Sequence, residues 1–355
     1  MSSLRVKLKT RLQHTEQLSD YISAIAWSPK NQILASCSAV GELYLSSLNG
    51  HSVALHQAGE MALNCLDFSA EGNFLATAGQ AGTLEIWNLQ EETPTLIWER
   101  NYPSTWLDTL QWHPQKSLLA YAVGRDVHIL DLEQDVIIAT LPFENSSIFD
   151  LSWHPKQDYL AVSGDGGVKV WNLNALDSSP YQLEVPGASL TVAWSKEGNY
   201  LASGNLDRTL SILAWDNPPP WLMQGFPGKV RKLAWSNFSP DQSLQIATAC
   251  LEGIIIWQQE KKDDQWQNTV LENHQGFVRD LSFHPSQPIL ASASDDGRII
   301  LWQDQKSIKT LKIETGGFSR LQWHKQGNYL AAGTSHGEVL IWELVSGEKL
   351  KKGFG

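Results

Sequence analysis

The sequence predicts an all-β chain assembled from eight copies of one unit. An aromatic residue ending a short alternating strand recurs at Trp27, Phe68, Trp112, Trp153, Trp194, Trp235, Phe283 and Trp323, every 40 to 48 residues. Each of these anchors is followed by a turn and then by a strand of small residues. No segment competes as a long amphipathic helix, so period-2 alternation at a fixed recurrence decides the class.

Within a unit the elements follow in order. The first strand alternates, as in VRDLSF, where Val278, Leu281 and Phe283 are apolar. The second strands read ILASCS, FLATAG, LLAYAV, YLAVSG, YLASGN, QIATAC, ILASAS and YLAAGT. Their small residues let neighbouring backbones approach. A turn leads to the third strand. In unit seven it is Asp295-Asp296-Gly297, where Asp-Gly supplies the positive φ of a tight turn. Five third strands carry a late tryptophan: Trp87, Trp171, Trp257, Trp302 and Trp342. So small a sheet cannot bury its apolar faces alone, so the units must stack on one another.

This pattern resembles WD40 repeats, which run at about 40–45 residues with four strands per propeller blade. The resemblance covers nearly the whole chain and implies a WD40-type β-propeller in a single domain, 1–355. Eight units imply eight blades. Seven is the alternative, because Ser46 stands where unit one would carry its tryptophan. The family's outer fourth strand falls in variable segments: SVALHQ, TLIWER, VIIATL, YQLEVP, WLMQGF, TVLEN and IKTLKIE. Unit eight has only GEKLKKGFG behind it, so the N-terminal RVKLKTRLQ is expected to close the ring, with residues 1–12 as its outer strand. The resemblance also implies a hydrogen-bonded tetrad, matched in unit seven by His274, Ser292, Asp296 and Trp302. Unit five keeps Ser203 and Asp207 but has Leu213 for tryptophan, and unit four keeps Asp165 and Trp171. Ala81, Leu251 or His336 stands at the aspartate position elsewhere, so most units rely on apolar packing.

With 27 cationic and 38 anionic residues the net charge is −11, which disfavours non-specific binding to nucleic acid or anionic membrane. Cys37, Cys65 and Cys250 form a sparse, odd set without CxxC spacing, as expected of free thiols in a reducing compartment. The basic N-terminus has no apolar run behind it, and no run is long enough to span a bilayer. A cytoplasmic protein without membrane insertion, and a monomeric propeller, are the expectations.

Candidate chemistry is sparse. GxGxxG opening a helix, GxxxxGK[ST] and HExxH are all absent. His113, His154, His284 and His324 each follow an anchor, but equivalent turns of different units keep them apart, whereas a metal needs converging ligands. No catalytic residue, metal or cofactor is expected. Proline in the HP turns fixes φ and ends the strand. The three prolines of DNPPPWLMQGFPG, 216–228, exclude a central strand there. QEKKDDQW, 259–266, reads as a solvated hairpin tip protecting an outer edge. Trp98, Trp106, Trp215, Trp221 and Trp266 are surplus to the repeat, and read either as packing between neighbouring units or as exposed aromatics that anchor a partner.

By resemblance, partners dock where the first strands begin, around the central channel. The position after the first apolar residue of that strand gives Ser23, Asn64, Asp108, Phe149, Leu190, Arg231, Arg279 and Ser319. Neighbouring positions add Tyr21, Trp106, Lys229 and Phe277, and the turn of unit seven adds Asp295. Aromatics mixed with arginines are the composition of binding hot spots. Lys229, Arg231 and Arg279 point to an acidic or phosphorylated partner peptide. The expected function is a protein-interaction scaffold. The rivals are an RNA- or ribosome-associated propeller, which needs a basic aromatic face, and a small-ligand or enzymatic site in the channel.

Overall fold

A computed structural model describes residues 8–144, 146–236, 244–260 and 265–345. Every regular element among them is a strand. No helix of the described residues is long and apolar enough to cross a membrane. Six sheets have four antiparallel strands in sequence order around the repeat, and one sheet has six, so there are seven sheets. Eight were expected, and the difference has a local cause. Units four and five share the six-stranded sheet. Its Tyr159–Asn172 strand pairs with Asp150–Trp153 through residues 160–163 and with Tyr181–Trp194 through residues 165–170. Tyr181–Trp194 then pairs with Tyr200–Asn205. Tyr159–Asn172 spans the second and third strands of unit four, and Tyr181–Trp194 spans its outer strand and the first strand of unit five. Gly166 and Gly167, at φ +82° and +130°, still turn the backbone within the first of these, and a Cβ on Gly167 would lie 2.1 Å from the Leu183 carbonyl oxygen. Unit one, suspected of degeneracy at Ser46, is a complete sheet of Ile22–Trp27, Ile33–Ser38, Leu43–Ser47 and Ser52–His56.

Unit eight contributes Phe318–Trp323, Tyr329–Thr334 and Glu338–Val345, and Lys9–Gln17 lies at the outer edge of that sheet. Lys9 faces Val345 and Gln17 faces Glu338. The paired strand therefore extends beyond the expected 1–12, of which residues 1–7 lie outside the described residues. The first and last described strands are thus hydrogen-bonded neighbours.

The core is divided among eight buried clusters, each drawn from two neighbouring units. One joins Ile22, Trp27 and Leu34 of unit one to Ala331, Val339 and Ile341 of unit eight. The anchor tryptophans also make a polar link that spacing does not reveal. The indoles of Trp27, Trp153, Trp194, Trp235 and Trp323 donate to the carbonyls of Gln322, Gln111, Ser152, Ala193 and Ser282, at 3.0–3.2 Å. Each acceptor is the residue just before the preceding unit's anchor. A buried indole N–H needs an acceptor, and here the adjacent unit supplies it. Asp67 links units two and three differently: its carboxylate accepts the backbone N–H of Trp112 at 2.8 Å, and burial pushes that carboxyl up to about 7.

The proline-rich stretch supplies Trp221–Met223, the edge strand of the six-stranded sheet. Residues 261–264 of the acidic-basic tip lie outside the described residues. Trp221 and Trp266 pack with Tyr200, and Trp215 meets Trp194 edge-on at 4.9 Å. The Trp98 indole donates to Asp135 at 2.7 Å, whereas Trp106 is 61% exposed and does not pack between units.

Candidate docking site at the channel entrance

The alternation of the first strands decides which side chains face outward. Val230 and Val278 are buried, so the adjoining Lys229, Arg231, Phe277 and Arg279 are exposed. Together with Tyr21 these four line a cavity of about 750 Å³. Arg208, Lys232 and Arg320 complete its cationic wall, and Leu206, Leu251 and Val278 supply apolar surface. Arg208 lies in a turn after a second strand, away from the first-strand positions that the sequence marks. Arg208 and Leu251 occupy corresponding turns of units five and six, and both have left-handed backbones, at φ 67° and 52°. Non-glycine residues adopt that conformation at a cost of about 1 kcal/mol or more.

The cations divide into two sets. Arg279 is held by Asp295 through two hydrogen bonds of 2.7 and 2.6 Å, and its guanidinium lies 5.7 Å from the Phe277 ring centre. Lys232 lies 3.7 Å from Asp280. Arg208, Lys229, Arg231 and Arg320 make no ion pair among the described residues. Asp295 therefore occupies Arg279 rather than standing ready for a partner.

Trp106, Asp108 and Phe149 do not line the cavity. Asp108 accepts a hydrogen bond from Asn64, and Phe149 is 44% exposed. Ser23 and Ser319 are buried, and their hydroxyls donate to the carbonyls of Leu63 and Ile22. These two hydroxyls link adjacent units; the strand pairing shifts register at both positions, as it does at the exposed Arg279.

In unit seven the four tetrad residues form one chain. His274 Nδ1 lies 3.1 Å from Asp296, His274 Nε2 lies 2.7 Å from the Ser292 hydroxyl, and the Trp302 indole donates to that hydroxyl at 2.8 Å. The order Asp-His-Ser resembles a nucleophilic triad, but Ser292 is fully buried and its oxygen already accepts the indole proton. The partial tetrads do not assemble. Asp165 is exposed, and the Ser163 hydroxyl has no hydrogen-bond partner among the described residues. Asp207 accepts from Thr209, while the buried Asn205 takes the Ser203 hydroxyl. Asn205 is the residue that sequence matching misses.

The HP histidines act as latches between turns. His154 Nε2 donates to the Gly198 carbonyl at 3.2 Å and His284 Nε2 to that of Gly327 at 3.0 Å. Their Nδ1 atoms accept backbone N–H groups of the following turn. Gly198 and Gly327 are required, since a Cβ at either would lie 2.1 or 2.3 Å from the imidazole. Among the described residues no three His, Cys, Asp or Glu side chains are grouped to hold a metal ion.

Burial lowers the pKa of His113, His154, His284 and His324 below the ordinary 6.5. A depressed folded-state pKa means stability that is present above 6.5 and lost as pH falls. Burial raises Asp67 and Asp150 instead, and their effect runs the other way, so a whole-protein pH curve mixes the two. The difference between wild type and His284→Asn isolates the latch. In paired thermal melts the variant is expected to be less stable at pH 7.5, with the gap narrowing by pH 5.5. A gap independent of pH would contradict the neutral latch.

The WD domain, G-beta repeat family matches residues 6–39, 136–172, 184–216, 265–303 and 305–343, which together make up just over half of the chain. The anaphase-promoting complex subunit 4 WD40 domain matches 25–101. The chain is 27% identical over 243 residues to Protein HIR1 of Mycosarcoma maydis, covering 56% of this chain and 23% of that protein. It is 24% identical over 205 residues to the anaphase-promoting complex subunit cdc20 of Dictyostelium discoideum, covering 55% and 40%. It is 25% identical over 291 residues to the transcriptional corepressor LEUNIG_HOMOLOG of Arabidopsis thaliana, covering 79% and 35%. The chain thus spans well under half the length of these relatives. Repeat by repeat, and in an all-β architecture whose first and last strands pair, the chain belongs to the WD40 family.

Proposed function

We propose that this chain is a non-catalytic scaffold that docks an acidic segment of a partner protein at the channel entrance. WD40 proteins generally act as protein-interaction scaffolds. One observation carries the finer reading: four cations without a carboxylate partner among the described residues line one cavity on a chain of net charge −11. Such a cavity attracts and orients an anionic segment. The six-stranded sheet is taken as two blades joined edge to edge, which makes eight blades, and the eight inter-unit clusters support this. Free thiols at Cys37, Cys65 and Cys250 support a reducing, cytoplasmic setting.

The test is titration of a fluorescent glutamate-rich peptide into wild type and into Arg208→Glu/Arg231→Glu with a matched melting curve. The variant is expected to bind about a hundredfold more weakly, about 1.4 kcal/mol for each reversed charge. Phe149→Ala is expected to bind like wild type, since that ring lies outside the cavity. Undiminished binding by the double variant would overturn the docking site.

A further inference from the structure

We infer that the group read by this cavity is a phosphate, or two phosphates close together, rather than a carboxylate. The inference rests on the docking reading above and narrows it to a ligand class. Arg279 shows what a carboxylate does here: the two oxygens of Asp295 occupy one guanidinium fork, at 2.7 and 2.6 Å. A second carboxylate from a partner would likewise engage one fork. Three further guanidinium groups, Arg208, Arg231 and Arg320, line the same cavity with Lys229 and have no carboxylate partner among the described residues.

A phosphomonoester brings nearly two negative charges and three acceptor oxygens to one point, so it can bridge several forks. Arginine suits this role through its planar pair of donors, and lysine adds a point charge. The apolar wall of Leu206, Leu251 and Val278 lowers the local dielectric. Unpaired cations are costly there, and a polyvalent anion gains more than it would in open water. A volume of about 750 Å³ leaves room for more than one phosphate group.

Inorganic pyrophosphate and citrate, similar in charge, distinguish the two chemistries by calorimetry at fixed ionic strength without metal ions. Pyrophosphate is expected to bind wild type about tenfold more tightly than citrate. Arg208→Glu/Arg231→Glu is expected to lose both. Arg208→Lys/Arg231→Lys keeps the charge but not the forks, and is expected to reduce the preference for pyrophosphate. Citrate binding as tightly as pyrophosphate, with both lost in the glutamate variant, would overturn the phosphate assignment and leave the docking site standing. Binding that survives the glutamate substitutions would overturn both. A phosphoserine peptide that displaces pyrophosphate at lower concentration would assign the phosphate to a modified protein, and one that needs higher concentration would assign it to a free polyphosphate.

Discussion

A variant beginning after Gln17 is expected to melt about 10 °C below the full chain and to self-associate. The strand it lacks, Lys9–Gln17, pairs along the whole of Glu338–Val345. Its side chains are exposed or half-buried, so little apolar area is lost on deletion. What is lost is a ladder of backbone hydrogen bonds, each worth a net ~0.5–1.5 kcal/mol, and the Arg11–Glu343 pair at 2.8 Å. The larger consequence is the bare edge of Glu338–Val345, which becomes a template for another chain. Leu18, Ile22 and Trp27 stay in place and hold unit one against unit eight, so the variant folds but opens more readily. The register also provides a rescue. Lys9 faces Val345, so an Asn-Gly turn after Val345 followed by residues 9–17 would form a hairpin. This permutant is expected to recover the melting temperature and remain monomeric. An unchanged melt and elution volume for the simple deletion would show that the strand does not close the ring.

Much of the architecture was legible because a propeller repeats its physics. Trp27 to Trp323 mark eight equivalent strand ends, and each anchor lies in the core because each unit packs the same face on its neighbour. The join of units four and five was not legible. It depends on Tyr181–Trp194 running as one strand from the outer strand of unit four into the first strand of unit five, where other units break. The docking site was half legible. Arg231 and Arg279 follow from one position rule applied to the first strands, and Tyr21, Lys229 and Phe277 from the positions beside it. Arg208 comes from a different loop, Arg320 lies one residue beyond the mapped Ser319, and Asp295 is committed to Arg279 by side-chain geometry alone. Spacing specifies which strand end a residue occupies; it does not specify which opposite charge its side chain meets.

The hydroxyl of Ser292 has an importance out of proportion to its size, and Ser292→Ala is expected to destabilise the protein by about 3–4 kcal/mol. That oxygen accepts the Trp302 indole proton at 2.8 Å and faces His274 Nε2 at 2.7 Å. Burial lowers the His274 pKa, although Asp296 works in the opposite direction. A neutral ring with its proton on Nδ1, toward Asp296, leaves Nε2 to accept the serine proton. Alanine would strand two buried groups at once, an indole N–H and an imidazole nitrogen, where water cannot replace the partner. Ser292→Thr keeps the hydroxyl and is expected to lie within about 1 kcal/mol of wild type, as Thr248, at the corresponding position of unit six, is itself fully buried and hydrogen-bonded to Ile255. His274→Ala removes one of the two stranded groups in advance. Combined with Ser292→Ala it should therefore cost less than the sum of the single changes, the signature of one network. Denaturant melts of the four proteins measure this coupling directly. A Ser292→Ala loss below 1 kcal/mol, or strict additivity, would mean that unit seven rests on the apolar contacts of Phe283, Leu290 and Trp302 alone, like the units that lack the network.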